Sequence, residues 1–506
     1  MKEIFSSFSS EKVDYVAFNI SLIVVITIAS FILLSPGAAE NFIGTLKNQV
    51  IDIFGSIYLI LTMVCFIFLL YLAFTKYGDY KLGGHDSSVE FSTFSWIGML
   101  FCSGIGGGII YWSGVEWGYY VSAPPFGIEP FSEEAYSLST AYGLFHWGIS
   151  AWAIYGIPAL ALSISFYKYK LNTLRLSSSL RGLGINNIET TFIGRLVDLI
   201  FVVATIGAAG GTIGSYIPML SSGFSDIFMI SNSSYLDIFV LTLCVSLFGF
   251  SVYKGLNKGI KTLSNINLTL AILFLFLVLF IGPFKEIVIS SFEGLRFMFL
   301  NFIDMSTLGI SETSQFANDW TIFYWAWWVA FGPLVALFIA RVSKGRTIRE
   351  LIFAMLLFGS LGTWLFYMIL GGYSMDLDQK QILEVSSVTG SSHADMAINI
   401  VKTMPLDNLM LIIFCIITII FVTTSYDSMS FVIAYHVQKN TSVTGDPSKY
   451  LRLFWAIVLG ILPAALIIYS SHGVALDLII LASVPLIIIY PLMAISLMKE
   501  LINEKT

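Results

Sequence analysis

The segment "FYWAWWVAF", residues 323–331, contains six aromatic side chains and no charged one. It lies in an apolar run of about 20 residues, which can cross about 30 Å of hydrocarbon at about 1.5 Å per residue. Similar runs recur along the 506-residue chain, in which 57% of residues are hydrophobic and only 11% are charged. A soluble globular protein has about 25% charged residues. The composition therefore excludes an ordinary soluble enzyme and predicts an all-α membrane protein.

Twelve apolar runs are long enough to be transmembrane helices, which satisfy their own backbone hydrogen bonds inside the bilayer. The first run is too long for a signal peptide, and no convincing cleavage site follows it. The predicted spans lie near residues 15–35, 52–75, 93–120, 138–167, 194–221, 236–253, 262–284, 319–341, 350–372, 408–437, 451–470 and 474–497.

Lysine and arginine residues are distributed unevenly among the predicted loops. With both termini in the cytoplasm, 21 of the 26 basic residues fall in inner segments, as the positive-inside rule requires. An error of one helix would reverse the bias in every loop that follows it, so the distribution supports an even number of spans. The outer basic residues are Lys47, Lys285, Arg296, Lys380 and Lys402.

The runs divide the chain into two halves that we interpret as five-helix repeats of inverted topology. Such repeats are typical of secondary transporters, whose substrate site lies near the bilayer midplane beside a broken helix. Between the halves, Phe292, Leu295, Phe299 and Phe302 are spaced like one face of an amphipathic helix on the outer surface. The predicted units are 1–92 with two peripheral helices, repeats at 93–284 and 319–497, an outer connector at 285–318, and a short cytoplasmic tail at 498–506.

The third run is interrupted by "SGIGGG", residues 103–108. Close helix packing explains one or two such glycines. Four in five residues are harder to explain, because each costs about 1 kcal/mol relative to alanine inside a helix. We favour an unwound stretch, whose amides and carbonyls can meet a ligand where they line a cavity.

Two tryptophans lie far from the predicted membrane surfaces. By the helical rise, Trp147 and Trp328 are each roughly 14 Å deep, at about the same level as the glycines. An interfacial aromatic belt explains Trp320 and Trp325 as well as a functional role does. For Trp147 and Trp328, the alternatives are core packing and an aromatic box for a quaternary ammonium group, in which each desolvated cation–π contact contributes about 2 kcal/mol.

Several polar residues also fall within the apolar runs. Thr424 and Ser425 can supply hard oxygen ligands or bond back to their own helix. Glu116, Asp427 and His146 are intramembrane ionisable groups, for which a functional role and a packed, hydrogen-bonded role both remain open. The cysteines are predicted to be packed thiols, since their spacing fits neither disulfides nor a metal site; they are Cys65, Cys102, Cys244 and Cys415.

Three motifs together resemble the betaine/choline/carnitine transporter family over nearly the whole chain. They are "WTIFYWAWW" followed by "FIARVSKGRTIRE" (320–350), "FHWGISAWAIY" (145–155) and "SGIGGGIIYWSGVEW" (103–117). The resemblance implies a LeuT-like core of two inverted five-helix repeats after two N-terminal helices. It also implies a homotrimer in the plasma membrane and no enzymatic activity. No cofactor is expected apart from sodium as coupling ion, and no nucleic-acid partner.

The resemblance also implies the site residues. The aromatic box would comprise Trp147, Trp152, Tyr155, Trp327, Trp328 and Phe331, with Gly104, Gly106 and Gly108 completing the substrate site. Phe331 departs from the betaine carriers, which have tryptophan there, so a longer substrate such as carnitine can fit. The sodium site would comprise Cys102, Ile105, Phe421, Thr424 and Ser425, of which Cys102 and Ile105 would contribute only backbone carbonyls.

These expectations point to a sodium symporter that imports a zwitterion such as glycine betaine or carnitine. The alternative is a sodium-independent exchanger, but the arginine that replaces sodium in such relatives is absent near Asn267. The family's choline carriers have an aspartate where this chain has Gly108, so choline should bind poorly. We expect Glu116 to lie two turns from Gly108, too far away to serve as the counter-charge.

Overall fold

Every regular element in the described part of the chain is a helix. The computed structural model describes residues 13–103, 106–171, 175–254, 260–310, 313–390, 392–439, 447–469 and 472–503, and only the backbone of residues 102, 250–254, 260–264 and 472. The longer helices are α1 (Tyr15–Leu34), α2 (Pro36–Phe74), α3 (Thr93–Ser103), α4 (Gly107–Trp112), α5 (Glu116–Ser122), α6 (Glu133–Trp147), α7 (Ile149–Lys168), α8 (Phe192–Phe228), α9 (Ser234–Lys254), α10 (Ile260–Ile281), α11 (Phe284–Leu300), α12 (Phe302–Thr307), α13 (Ile322–Val342), α14 (Ile348–Gln379), α15 (His393–Lys402), α16 (Asp407–His436), α17 (Lys449–Ile468) and α18 (His472–Asn503).

Within the described ranges, nine helices are long and apolar enough to cross a membrane, or ten if a bent pair counts as one span. The prediction of an all-α, multi-pass membrane protein is therefore confirmed. Three predicted spans fall on less regular elements: the interrupted series α3–α5, the apolar part of α9, and α10. The count of twelve spans stays a prediction.

The predicted interruption of the third run is confirmed at Gly106, whereas Gly107 and Gly108 are the first residues of helix α4. Helix α3 ends at Ser103, and α4 begins after Gly106, whose backbone is extended at φ −127° and ψ −176°. Gly104 and Ile105 lie outside the described residues. A second break, at residues 113–115, separates α4 from α5. This part of the chain therefore consists of short helices, and irregular backbone lies between them inside the bundle.

Helices α10 and α11 form the bent pair, with an angle of 111° between them. Helix α11 packs along α6, where Gly294 allows close approach: a Cβ atom there would lie 2.4 Å from Thr140 Cγ2. The predicted connector helix exists, and the four residues predicted to form its apolar face differ in burial. Leu295 and Phe302 pack on the core, whereas Phe292 and Phe299 point away from it, because α11 is buried through Gly294 and its neighbours.

The two sequence motifs that are richest in tryptophan meet in the centre of the bundle. Helix α13, which carries "FYWAWWVAF", packs along α7 in the most extensive helix pair of the described structure. Helix α8 and the C-terminal helix α18 pack on the other sides of α13. The largest fully buried side chains include Trp152 of α7 and Trp325 of α13. The aromatic residues therefore belong to the protein interior.

Candidate functional site

A kink between α6 and α7 positions the tryptophans. Gly148 leaves the helical conformation at φ −108° and ψ −133°, so nearby carbonyls lose helical partners. Side chains from other helices bind these carbonyls: the Trp328 indole N–H donates to His146 O at 2.8 Å, and the Thr363 hydroxyl donates to Trp147 O at 2.5 Å. The irregular backbone thus fixes the orientation of one box residue, Trp328.

The rings of Trp147 and Trp328 form the centre of an aromatic cluster. Their centroids are 4.8 Å apart and their planes cross at 75°. Trp327 stacks on Trp328 at 5.3 Å, and Tyr324 stacks on Trp328 at 5.9 Å. All four rings are at most 6% exposed. Aromatic rings gathered in this way can bind a cation through their faces.

The other three predicted box residues join the same cluster. Tyr155 lies 6.0 Å from Trp328 and 5.6 Å from Trp152, nearly perpendicular to both. Trp152 packs directly on Gly359, where a Cβ atom would lie 2.4 Å from the Trp152 ring. This close packing fixes the Trp152 ring, against which Tyr155 lies. Phe331 is half-buried and lies 6.4 Å from Trp327. The structure therefore brings all six predicted aromatic residues into contact.

The aromatic-belt interpretation is wrong for Trp325. This residue is 1% exposed and packs against Phe145 at 5.3 Å and His146 at 5.7 Å. Trp320 is half-buried and lies 5.0 Å from both Tyr119 and Tyr120. Both side chains pack within the protein, because α13 and the residues that lead into it run through the bundle.

Glu116 is fully buried beside the box, and four side-chain donors converge on it. Tyr120 donates to Oε1 at 2.5 Å, Tyr367 donates to Oε2 at 2.5 Å, and Tyr324 donates to the same oxygen. The indole N–H of Trp147 reaches Oε2 at 3.3 Å. A buried carboxylate needs such donors to compensate for lost hydration. Glu116 thus holds Trp147 of the box, on α6, together with Tyr324 of α13.

This position corrects the expectation that Glu116 lies apart from the substrate site. The break at residues 113–115 starts a new helix at Glu116, and the carboxylate turns toward Trp147. Nearby, His146 has the packed role that sequence left open. Its Nδ1 lies 3.0 Å from the Tyr120 hydroxyl and its Nε2 lies 3.1 Å from Thr321 Oγ1.

The glycine break approaches the box through Gly108. A Cβ atom at this position would lie 2.4 Å from the hydroxyl oxygen of Tyr216 and 3.1 Å from Trp147 Cη2. At Gly107, it would lie 3.0 Å from the Tyr216 ring. Larger residues would collide with these rings, so glycine is required here for close packing. Predictions for Gly104 lie outside the described residues.

Of the predicted sodium ligands, Ser425 lies close to the break, whereas Thr424 bonds back to its own helix. A Cβ atom built on Gly106 would lie 4.0 Å from Ser425 Oγ, so α16 faces the irregular backbone. The Thr424 hydroxyl donates to the carbonyls of Ile420 at 2.9 Å and Phe421 at 3.0 Å, which leaves its oxygen able to accept or coordinate. Hydroxyl oxygens are hard donors of the kind that a small cation such as sodium prefers. The Cys102 side chain and Ile105 are not described.

The family of the protein follows from its similarity to known proteins. A family model described as "BCCT, betaine/carnitine/choline family transporter" matches residues 16–506. The chain belongs to the betaine/carnitine/choline transporter family. It is therefore a membrane transporter and not an enzyme. The family's substrates are quaternary ammonium compounds, whose cationic group suits an aromatic cluster.

Several known transporters are similar to this chain over most of their length. A carnitine transporter of Acinetobacter baumannii is 32% identical over 497 residues, which cover 97% of this chain and 89% of the relative. The glycine betaine transporter OpuD of Bacillus subtilis is 32% identical, with 96% and 94% covered. A glycine betaine/proline/choline/ectoine transporter of Vibrio parahaemolyticus is 29% identical, with 95% and 86% covered.

A cavity of about 190 Å³ borders the box of this betaine/carnitine/choline transporter at the end that the topology predicts to be outside. Phe323 lines this cavity and also lies 5.4 Å from Trp327, so it is a shared wall. Trp112, Tyr119 and Trp320 add further rings, and Asp319 adds a carboxylate.

Another buried charge pair ties α16 to α17. Arg452 donates through Nη2 to Asp427 Oδ1 at 2.5 Å, and their side chains are 2% and 3% exposed. The guanidinium also lies 5.4 Å from the centre of the Phe431 ring. Asp427 thus has a structural partner, which resolves one of the alternatives that sequence left open. Cys65, Cys244 and Cys415 are buried free thiols, as predicted.

Proposed function

We propose that the protein imports a zwitterionic quaternary ammonium compound, of the glycine betaine or carnitine type, by sodium symport. The observation that carries the proposal is the Trp147–Trp328 pair, buried at 4.8 Å beside Gly108. The rings provide cation–π contacts for a trimethylammonium group. The break provides polar backbone for a carboxylate at the other end of the same small molecule.

The proximity of Ser425 to Gly106 supports sodium as the coupling ion. A cation at this point would touch both the broken helix and α16, so its binding and the conformation of the break would be coupled. Such linkage is what a symporter needs, because each ligand must change the affinity for the other. The neutral, buried Asn267 supports a cation from solution in place of a fixed arginine.

The assembly and topology that we propose follow the family resemblance. The protein would have twelve spans, with repeats at 93–284 and 319–497 related by inverted topology, and both termini in the cytoplasm. It would act as a homotrimer in the plasma membrane. The buried interior of the box supports a single transport path within each protomer, since its rings come from α6, α7 and α13 of one chain.

Transport in proteoliposomes tests the function directly. We expect labelled glycine betaine or carnitine to accumulate when an inward sodium gradient is imposed, and not when potassium replaces sodium. Accumulation that needs internal substrate but no sodium would show the alternative, a substrate–product exchanger. Absence of both uptake and counterflow for betaine, carnitine and choline would overturn the assignment. Empty liposomes and liposomes with a denatured preparation are the controls.

A further inference from the structure

Tyr216 of α8 combines two features that set it apart from the predicted site residues. Its side chain is buried, and its hydroxyl has no hydrogen-bond partner among the described residues. The same hydroxyl oxygen would lie 2.4 Å from a Cβ atom at Gly108, so it is directed at the glycine break. A buried hydroxyl without a partner costs free energy, and this cost is removed when a ligand accepts a hydrogen bond from it.

The hydroxyl of Tyr216 also lies close to the aromatic box. Trp147 Cη2 would lie 3.1 Å from the same Cβ position at Gly108, so the hydroxyl and the tryptophan edge approach one point. A trimethylammonium group on the rings would therefore hold its carboxylate within reach of Tyr216, because few bonds separate the two groups in a betaine. The ring of Tyr216 is fixed by Tyr111 at 5.3 Å and by Gly107.

We propose that the Tyr216 hydroxyl donates a hydrogen bond to the carboxylate of the substrate and selects zwitterions over simple cations. This inference rests on the proposed function and names a specificity residue for the same site. A hydrogen bond between a neutral donor and an ionised acceptor is stronger than one between neutral groups. Choline and tetramethylammonium carry no carboxylate, so the hydroxyl cannot form this stronger hydrogen bond with them.

Tyr426 provides a matched control. It is also a buried tyrosine whose hydroxyl has no hydrogen-bond partner among the described residues. Its ring faces Phe248 of α9 at 6.2 Å, and its hydroxyl lies 3.9 Å from the Cβ position of Gly460 on α17. Removing this hydroxyl therefore changes the same chemical group without touching the break or the box.

The test compares Tyr216→Phe and Tyr426→Phe in purified, detergent-solubilised protein. For Tyr216→Phe we expect the affinity for glycine betaine and carnitine to fall by about ten-fold to one-hundred-fold, with less than about a three-fold change for tetramethylammonium. Tyr426→Phe should change none of these affinities. Equal weakening of all ligands, or no weakening, would overturn the inference.

A second measurement does not depend on the stability of the variant. With 3-fluorotyrosine incorporated at position 216, the ¹⁹F resonance should shift when betaine saturates the protein and should stay in place with tetramethylammonium. The same response to both ligands would contradict a bond to the carboxylate. If the unmodified protein bound neither betaine nor carnitine, the proposed function would fail. If it bound them, but Tyr216→Phe weakened tetramethylammonium binding as much as betaine binding, only the role of Tyr216 would be contradicted.

Discussion

The indole N–H of Trp328 donates to the backbone carbonyl of His146 at 2.8 Å and thereby joins α13 to the end of α6. Because His146 directly precedes Trp147, this bond also sets the distance between the two tryptophan rings. The central pair of the box therefore depends on the kink at Gly148, which frees the carbonyl. A substitution of either ring should therefore lower the substrate affinity more than it lowers the stability of the protein.

We predict that Trp328→Leu and Trp147→Leu each weaken betaine or carnitine binding by about ten-fold or more. Each ring supplies a desolvated cation–π contact of about 2 kcal/mol. Isothermal titration calorimetry of the purified variants measures the loss, and thermal melting confirms that the protein stays folded.

Trp455→Leu is the matched control for the tryptophan variants. Trp455 is also fully buried, but it lies on α17 and its ring packs on Phe18 of α1 at 5.3 Å. We expect a lower melting temperature for this variant with nearly unchanged affinity. Unchanged affinity in both Trp328→Leu and Trp147→Leu would assign those rings to core packing instead.

We predict that Glu116→Gln lowers both stability and affinity. A glutamine presents one acceptor oxygen, and its amide N–H₂ meets hydroxyl donors that now lack an acceptor. Leaving a buried donor unpaired costs about 1–3 kcal/mol. The melting temperature should fall by several degrees, and substrate affinity should fall because the side chain that holds the Trp147 indole N–H is then less well fixed.

Glu293→Gln on the exposed side of α11 is the control for this change. Glu293 pairs with Arg296 at the surface, where an ion pair contributes about 0–1 kcal/mol. Its melting temperature should match that of the unmodified protein. If Glu116→Gln also melted at the temperature of the unmodified protein, the negative charge of Glu116 would not be needed to stabilise the four donors around it.

The box could be predicted from sequence because helix periodicity places neighbouring rings on one side. Trp327 and Phe331 are four residues apart, and Trp152 and Tyr155 are three apart, so each helix presents a wall of rings. The midplane depth of Trp147 and Trp328 then identified the residues that an interfacial belt does not explain. The all-α membrane fold followed from the composition and from the length of the apolar runs.

The partners of Glu116 could not be predicted in this way. Tyr324 and Tyr367 are separated from it by 208 and 251 positions, and no local pattern links residues so far apart. The orientation of the carboxylate depends on a turn at residues 113–115, whose geometry the sequence does not reveal. Tyr216 was missed for the same reason, because it contacts Gly108 from a different helix.

We predict that Asp427→Asn destabilises the protein by about 3–5 kcal/mol, because it leaves the Arg452 guanidinium buried without its carboxylate. Denaturant unfolding followed by tryptophan fluorescence measures the change. Replacing both partners in Asp427→Asn/Arg452→Met should restore part of the stability. If the single and double variants were equally unstable, the pair would not be the cause.

We predict that Ser425→Ala and Thr424→Ala raise the sodium concentration needed for half-maximal uptake by about ten-fold or more. Each variant loses a hydroxyl oxygen of the predicted sodium site, and such ligands determine the affinity for a small cation. Thr418→Ala is the matched control: the Thr418 hydroxyl is fully buried on the same helix and donates to Phe414 O at 2.8 Å. An equal effect of all three variants would argue against a local sodium site.

The choice between zwitterions and choline is tested at Gly108. In the unmodified protein we expect choline to compete poorly, since the Glu116 carboxylate already accepts four donors and is not free to pair with a cation. Gly108→Asp adds a negative charge at the break and should improve choline binding by about ten-fold while weakening betaine or carnitine, because burying an unpaired charge costs several kcal/mol. The new Cβ atom would lie 2.4 Å from the Tyr216 hydroxyl, so the tyrosine must move, and Gly108→Asn controls for this steric change without charge. Choline that binds the unmodified protein as tightly as the best zwitterion would contradict the assignment, and loss of that binding in Glu116→Gln would then identify Glu116 as the counter-charge.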